Sequence, residues 1–166
     1  MKILVLGIGN LILQDEGVGI QAIQQLEAQF EIPPEIEVLD GGTSGMELLT
    51  PISDAEQIII VDAVTTGRSA GTIVRLDNED IPTFFRTKVS PHQVGLADVL
   101  AAATLTGSMP RKLVLFGVEP LQIDLGMELS EPVAEQIPRL VHLIVEELKE
   151  MGVTLQPKGE NHAVTH

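Results

Sequence analysis

Lys2-Ile3-Leu4-Val5-Leu6-Gly7-Ile8-Gly9-Asn10 decides the fold, because a short apolar run that breaks on glycines reads as a strand emptying into a loop. The run lacks the small-residue cleavage site of a secretory signal. Downstream, Gly19, Ala22, Ile23, Leu26 and Phe30 recur at helical spacing among Gln21, Gln24, Gln25 and Glu27. They predict an amphipathic crossover helix, which Pro33-Pro34 stops.

Further β-rich runs at 35–39, 57–62, 72–76 and 112–118 alternate with helical patterns, the signature of an α/β domain. The expected fold is a three-layer α/β/α sandwich around a five-stranded, mostly parallel twisted sheet. Only residues 63–71 separate the third and fourth runs, short of the roughly dozen residues a parallel crossover needs. The fourth strand is therefore expected to be antiparallel and at an edge.

Ser90-Pro91-His92 reads as a helix start, with Ser90 as N-cap and Pro91 at the first helical position, before Leu96, Val99, Leu100 and Ala103. Gly107 should end that helix. A last helix starting near Ser130 places Val133, Ile137, Leu140, Val141, Ile144, Val145 and Leu148 on one face, is kinked by Pro138 and stops at Gly152. The expected organisation is one α/β domain over 1–152 and a flexible tail over 153–166.

At 166 residues the chain is long enough to bury a core without disulfides, and it has no cysteine. That excludes thiolate zinc sites, iron–sulfur clusters and a cysteine nucleophile, and suggests a cytoplasmic setting. The formal net charge of −14, with no basic cluster, disfavours nucleic acid and anionic membranes as partners. No run approaches the roughly 18–20 apolar residues of a membrane span. A monomer is the default expectation.

Ligands in an open α/β sheet bind beyond the carboxyl ends of the strands, where strand order reverses around the first strand. Three metal-binding side chains fall at such positions. Glu16 follows the first strand within Gln14-Asp15-Glu16-Gly17-Val18-Gly19, Asp62 closes the run Ile58-Ile59-Ile60-Val61, and His92 lies in the first turn of its helix, where the dipole keeps imidazole neutral. Each has an ordinary alternative: an acid at a helix start, a cap, a surface histidine. Together they would suit zinc, nickel, iron or manganese with a position left open, and hydrolysis is the natural use of an open site.

Other motifs are weaker. Gly7-Ile8-Gly9 suggests a dinucleotide loop, but Ile12 stands where G-x-G-x-x-G requires glycine. Asp40-Gly41-Gly42-Thr43-Ser44-Gly45 offers backbone donors and one carboxylate on the same edge, or simply a turn. Ser44 does not complete G-x-S-x-G, since Met46 occupies the final glycine position. His142 is expected to be packed or solvated, and His162 and His166 lie in the tail.

Gly7-Ile8-Gly9-Asn10, Asp15-Glu16-Gly17-Val18-Gly19, Asp40-Gly41-Gly42-Thr43, Val61-Asp62-Ala63 and Ser90-Pro91-His92-Gln93, taken in order, closely resemble the nickel–iron hydrogenase maturation endopeptidases over roughly residues 1–150. The resemblance implies a metal-dependent or aspartyl-type endopeptidase that removes the C-terminal extension of the hydrogenase large-subunit precursor after nickel insertion. It implies that Glu16, Asp62 and His92 bind the nickel and act in cleavage, and that Asp40, Gly41, Gly42 and Thr43 position substrate. The nickel would be supplied by the precursor, with no organic cofactor. Two alternatives are a non-cleaving nickel-sensing or chaperone-like binding module and an aminoacyl-tRNA hydrolase-like enzyme, which shares a Gly-x-Gly-Asn start.

Overall fold

The computed structural model describes residues 2–42, 46–78, 80–81, 100–107 and 109–159. Its strands are β1 (Ile3–Ile8), β2 (Phe30–Glu31), β3 (Ile36–Gly42), β4 (Gln57–Ala63), β5 (Ile73–Asp77), β6 (Lys112–Val118) and β7 (Gln156–Pro157). The helices are α1 (Val18–Gln29), α2 (Leu49–Asp54), α3 (Glu131–Ala134) and α4 (Ile137–Glu150), and residues 100–105 are also helical. Every strand expected from sequence is present.

The main sheet has the order β3-β1-β4-β6-β5. Its first four strands run parallel, and β5 lies antiparallel against β6 at the edge, as the short 63–71 connection requires. Because side chains alternate across a strand, each central strand feeds two cores. Ile3, Val5, Ile59, Val61, Val114 and Phe116 pack on one face with Val18, Ile23 and Leu26 of α1 and Leu140, Ile144 and Leu148 of α4. Leu4, Leu6, Ile58, Ile60, Leu113 and Leu115 pack on the other with Ile52 of α2 and with Leu100 and Ala103. At about 1.5–3 kcal/mol per buried aliphatic side chain, these two faces supply the main driving force for folding. The result is the expected α/β/α sandwich.

Helix α1 lies close enough to the sheet that side chains are excluded at the contact. A Cβ on Gly7 would stand 2.8 Å from the Gly19 carbonyl oxygen, and one on Gly19 would strike the carbonyl of Val61. Backbone approach therefore accounts for these glycines without a dinucleotide.

Two sequence expectations are corrected. The predicted helix from Ser130 to Gly152 is two helices, and Pro138 kinks neither: it occupies the first turn of α4, where its missing N–H would have no intrahelical partner anyway. Order also continues beyond Gly152. Leu155 is buried in the core that also holds α1 and α4, and Gln156–Pro157 pair antiparallel with β2, formed where Phe30 leaves the expected helix. Residues 160–166 lie outside the described residues. Gly107 does end its helix, with φ +71°, and Gly152 follows α4 with φ +101°.

One ion pair ties the antiparallel edge to the helical layer. Arg75 on β5 donates through Nε (2.9 Å) and Nη2 (3.1 Å) to the two carboxylate oxygens of buried Glu147, and Lys112 approaches at 3.3 Å. Burial alone would raise the Glu147 pKa, but these cations outweigh it and hold it below the ordinary carboxylate range. Arg75→Ala is expected to cost about 1.5–3 kcal/mol, toward the lower end because Lys112 remains, measured by urea unfolding. An unchanged midpoint would remove the pair from the account of stability.

Candidate active site

The site begins where β1 loses its partner. Gly7 opposite Val61 is the last β1–β4 pair. Beyond it Ile8 pairs with Gly42 and Gly9 donates to the Gly42 carbonyl at 2.8 Å, so β1 leans toward β3. Meanwhile Asp62 and Ala63 continue in register with Gly117 and Val118, so β4 leans toward β6. The two central strands thus part at their carboxyl ends, the place where strand order reverses and where a ligand crevice is expected in such a sheet.

Asp62 is fully buried on the β4 side of this opening. The connection from β1 passes over the other side as a 3₁₀ turn, Gln14–Gly17, that leads into α1. Glycine allows that passage: at Gly9, with φ +136°, a Cβ would collide with the Glu16 carbonyl oxygen. Residue 16 is lodged over Gly9 and residue 19 lies against Val61, so the backbone of this turn and of the start of α1 packs beside the ends of β1 and β4. Glu16 is half-buried there. His92 lies outside the described residues, together with Ser90, Pro91 and the start of their helix.

Asp40 is exposed at the end of β3, opposite Gly7, and its Oδ1 accepts a hydrogen bond from Gly42 N at 2.8 Å. This Asx-type turn, with Gly42 at φ +51° and a register shift at Gly41, gives the loop its shape. A Cβ on Gly41 would press on Ile8 and Leu6 at 2.8 and 2.9 Å. Asp40, Gly41 and Gly42 thus lie at the carboxyl end of the neighbouring strand β3, and Thr43 lies outside the described residues. The open groove along the outer side of β3, lined by Glu37, Leu39, Asp40 and Asp54 among others, reaches Asp40 but neither Glu16 nor Asp62.

The adjacent carboxylates Asp15 and Glu16, which look alike in sequence, have different environments. Asp15 is fully buried and accepts from Leu121 N, Gln122 N and Ser130 N, each at 2.8 Å, and from Ser130 Oγ at 2.7 Å. Burial, the largest single influence, would raise its pKa, but the combined hydrogen bonds outweigh it and hold the carboxyl below its ordinary range. A second clamp lies immediately after β6. Buried Glu119 accepts from Thr66 N at 2.9 Å, Thr66 Oγ1 at 2.6 Å and Arg68 N at 3.3 Å, fastening the segment after β4. Sequence reading missed both clamps, whose only signal is an acid placed immediately after a strand or turn.

Two hard carboxylates suit a Lewis acid or an activated water, and an imidazole from residue 92 would complete a three-donor set. Among the described residues no group of three or more His, Cys, Asp or Glu could hold a metal ion by itself. Nor, among them, is any helix long and apolar enough to cross a membrane. His142 is exposed.

The family profile described as HycI, hydrogenase maturation protease, matches residues 20–147. The hydrogenase 2 maturation protease of Escherichia coli K12 is 41% identical over 163 residues, spanning 98% of this chain and 99% of its own. The hydrogenase expression/formation protein HupD of Bradyrhizobium diazoefficiens is 38% identical over 160 residues, spanning 95% of this chain and 83% of its own. The solved structure of the hydrogenase maturating endopeptidase HybD from E. coli superposes with a TM-score of 0.92 at 41% identity, covering 95% of this chain and 98% of that one.

Proposed function

Since the chain belongs to the hydrogenase maturation protease family, we propose that it cleaves a C-terminal extension from the hydrogenase large-subunit precursor once nickel has been inserted. The nickel arrives with the substrate, held by the precursor's own cysteines, and is read by Glu16, Asp62 and His92. The observation that supports this reading is the parting of β1 and β4 at their carboxyl ends, with fully buried Asp62 on β4 and the turn that carries Glu16 packed over Gly9. A chain with no cysteine has no thiolate to offer a metal, which fits a protein that inspects one already bound.

Cleavage of the peptide bond consumes one water. Its oxygen joins the scissile carbonyl carbon, the C–N bond breaks, and a proton passes to the departing amine. With no cysteine in the chain and no G-x-S-x-G motif, we assign activation of that water to a crevice carboxylate. Asp40 and the glycines behind it position the extension, and the reaction is assigned to the cytoplasm with the enzyme as a monomer. Family membership displaces the aminoacyl-tRNA hydrolase alternative.

Purified protein incubated with nickel-loaded precursor is expected to release the C-terminal peptide, seen as a mass loss, while nickel-free precursor stays intact. Tight binding without mass loss would favour the non-cleaving module. Equal cleavage of both precursors would overturn the role given to nickel.

A further inference from the structure

The connection from β6 to α3 carries Leu121, Ile123, Leu125 and Met127 at 59%, 51%, 80% and 65% exposure, and Ile12 beside it is 51% exposed. One exposed aliphatic residue needs no explanation, but a cluster of them marks an interaction surface. Nor is the stretch slack. The Asp15 carboxylate holds Leu121, Gln122 and Ser130, Gln14 N donates to the Gly126 carbonyl at 2.8 Å, and Gly126 N donates to the Ile12 carbonyl at 2.9 Å. The fold uses a buried carboxylate to keep these apolar side chains in water.

The turn that supplies this clamp runs directly from Asp15 into Glu16, so the lip and the crevice are parts of one construction. We propose that the lip is the docking surface for the precursor protein, receiving an apolar patch of its folded surface while the extension enters the crevice. This rests on the function proposed above. A second copy of this chain is a poorer occupant: in a chain of net charge −14, a symmetric contact here would bring two like-charged lips together, each carrying Asp124 and Glu128. A substrate that engages Glu16, in contrast, comes to the same turn that holds the lip. Contacts remote from the reacting bond let the enzyme select the assembled precursor over a loose peptide of the same terminal sequence.

The test is the double variant Leu121→Asp/Leu125→Asp, with Leu121→Met/Leu125→Met as the conservative control. Both positions are exposed, so thermal midpoints should match the wild type. The Kd for nickel-loaded precursor is expected to rise about tenfold or more in the aspartate variant, with kcat/KM falling by the same factor, and to be restored in the methionine variant. A wild-type Kd in the aspartate variant overturns the docking surface. So does a wild type that sediments as a dimer which the aspartates dissociate. The Asp62→Asn variant separates the two readings: it should fail to cut the precursor, and adding the two aspartates to it should still raise its own Kd about tenfold. If it cuts, the site assignment falls while the Kd comparison still decides the lip.

Discussion

Asp62→Ala is expected to lower precursor cleavage at least about a thousandfold while leaving the unfolding midpoint within about 1 kcal/mol of wild type or higher. The residue is fully buried at the end of β4, and taking a carboxylate out of water is costly. Retaining such a group at the carboxyl end of the sheet makes sense where its charge is used. Glu16→Ala and His92→Ala should show the same loss of cleavage. Mass spectrometry of the processed precursor reads activity, and circular dichroism with urea titration reads the fold. Should alanine at 62 disturb packing, Asp62→Asn keeps the shape and carries the test. Full processing by all three alanine variants would dismantle the site.

Asp15 should behave in the opposite way. Removing it strands the donors of Leu121, Gln122 and Ser130, and although the first two can turn to water, the buried Ser130 amide and hydroxyl cannot. Asp15→Ala is expected to cost about 3 kcal/mol, the worth of one or two hydrogen bonds to a charged group. The effect should also depend on pH. Because the folded-state pKa is depressed, the stabilisation is fully present above the unfolded pKa of roughly 3.9 and is lost as pH falls through the folded value. Glu147 titrates in the same direction but is common to both proteins, so it cancels in their difference. Urea midpoints for wild type and Asp15→Asn at several pH values should therefore converge below about pH 4. A difference independent of pH would mean that the Asp15 charge is not what holds the connection.

The two acids also show where sequence reading runs out. The run Ile58-Ile59-Ile60-Val61 announces a strand, the glycines after β1 announce a turn, and the brief 63–71 connection announces an antiparallel edge, all from neighbours along the chain. Pro138 was misread for a related reason. Its ring breaks a helix interior but suits a helix start, and which applies depends on whether residues 135–136 leave the helix. The order at Gln156–Pro157 was missed because a two-residue strand has no periodicity of its own and exists only where Phe30 and Glu31 meet it.

Strand period, helix period and glycine placement act over a few residues, so the amino-acid sequence by itself determined the layered sheet and the arrival of Glu16 and Asp62 at its carboxyl end. Only the tertiary structure decided that Asp15 would turn inward as a clamp, while its neighbour Glu16 stayed half-buried. The donors that draw Asp15 in lie 106 to 115 residues further along the chain. Hydrogen bonds are formed by proximity in space, and no spacing rule along the backbone encodes which distant amides will arrive.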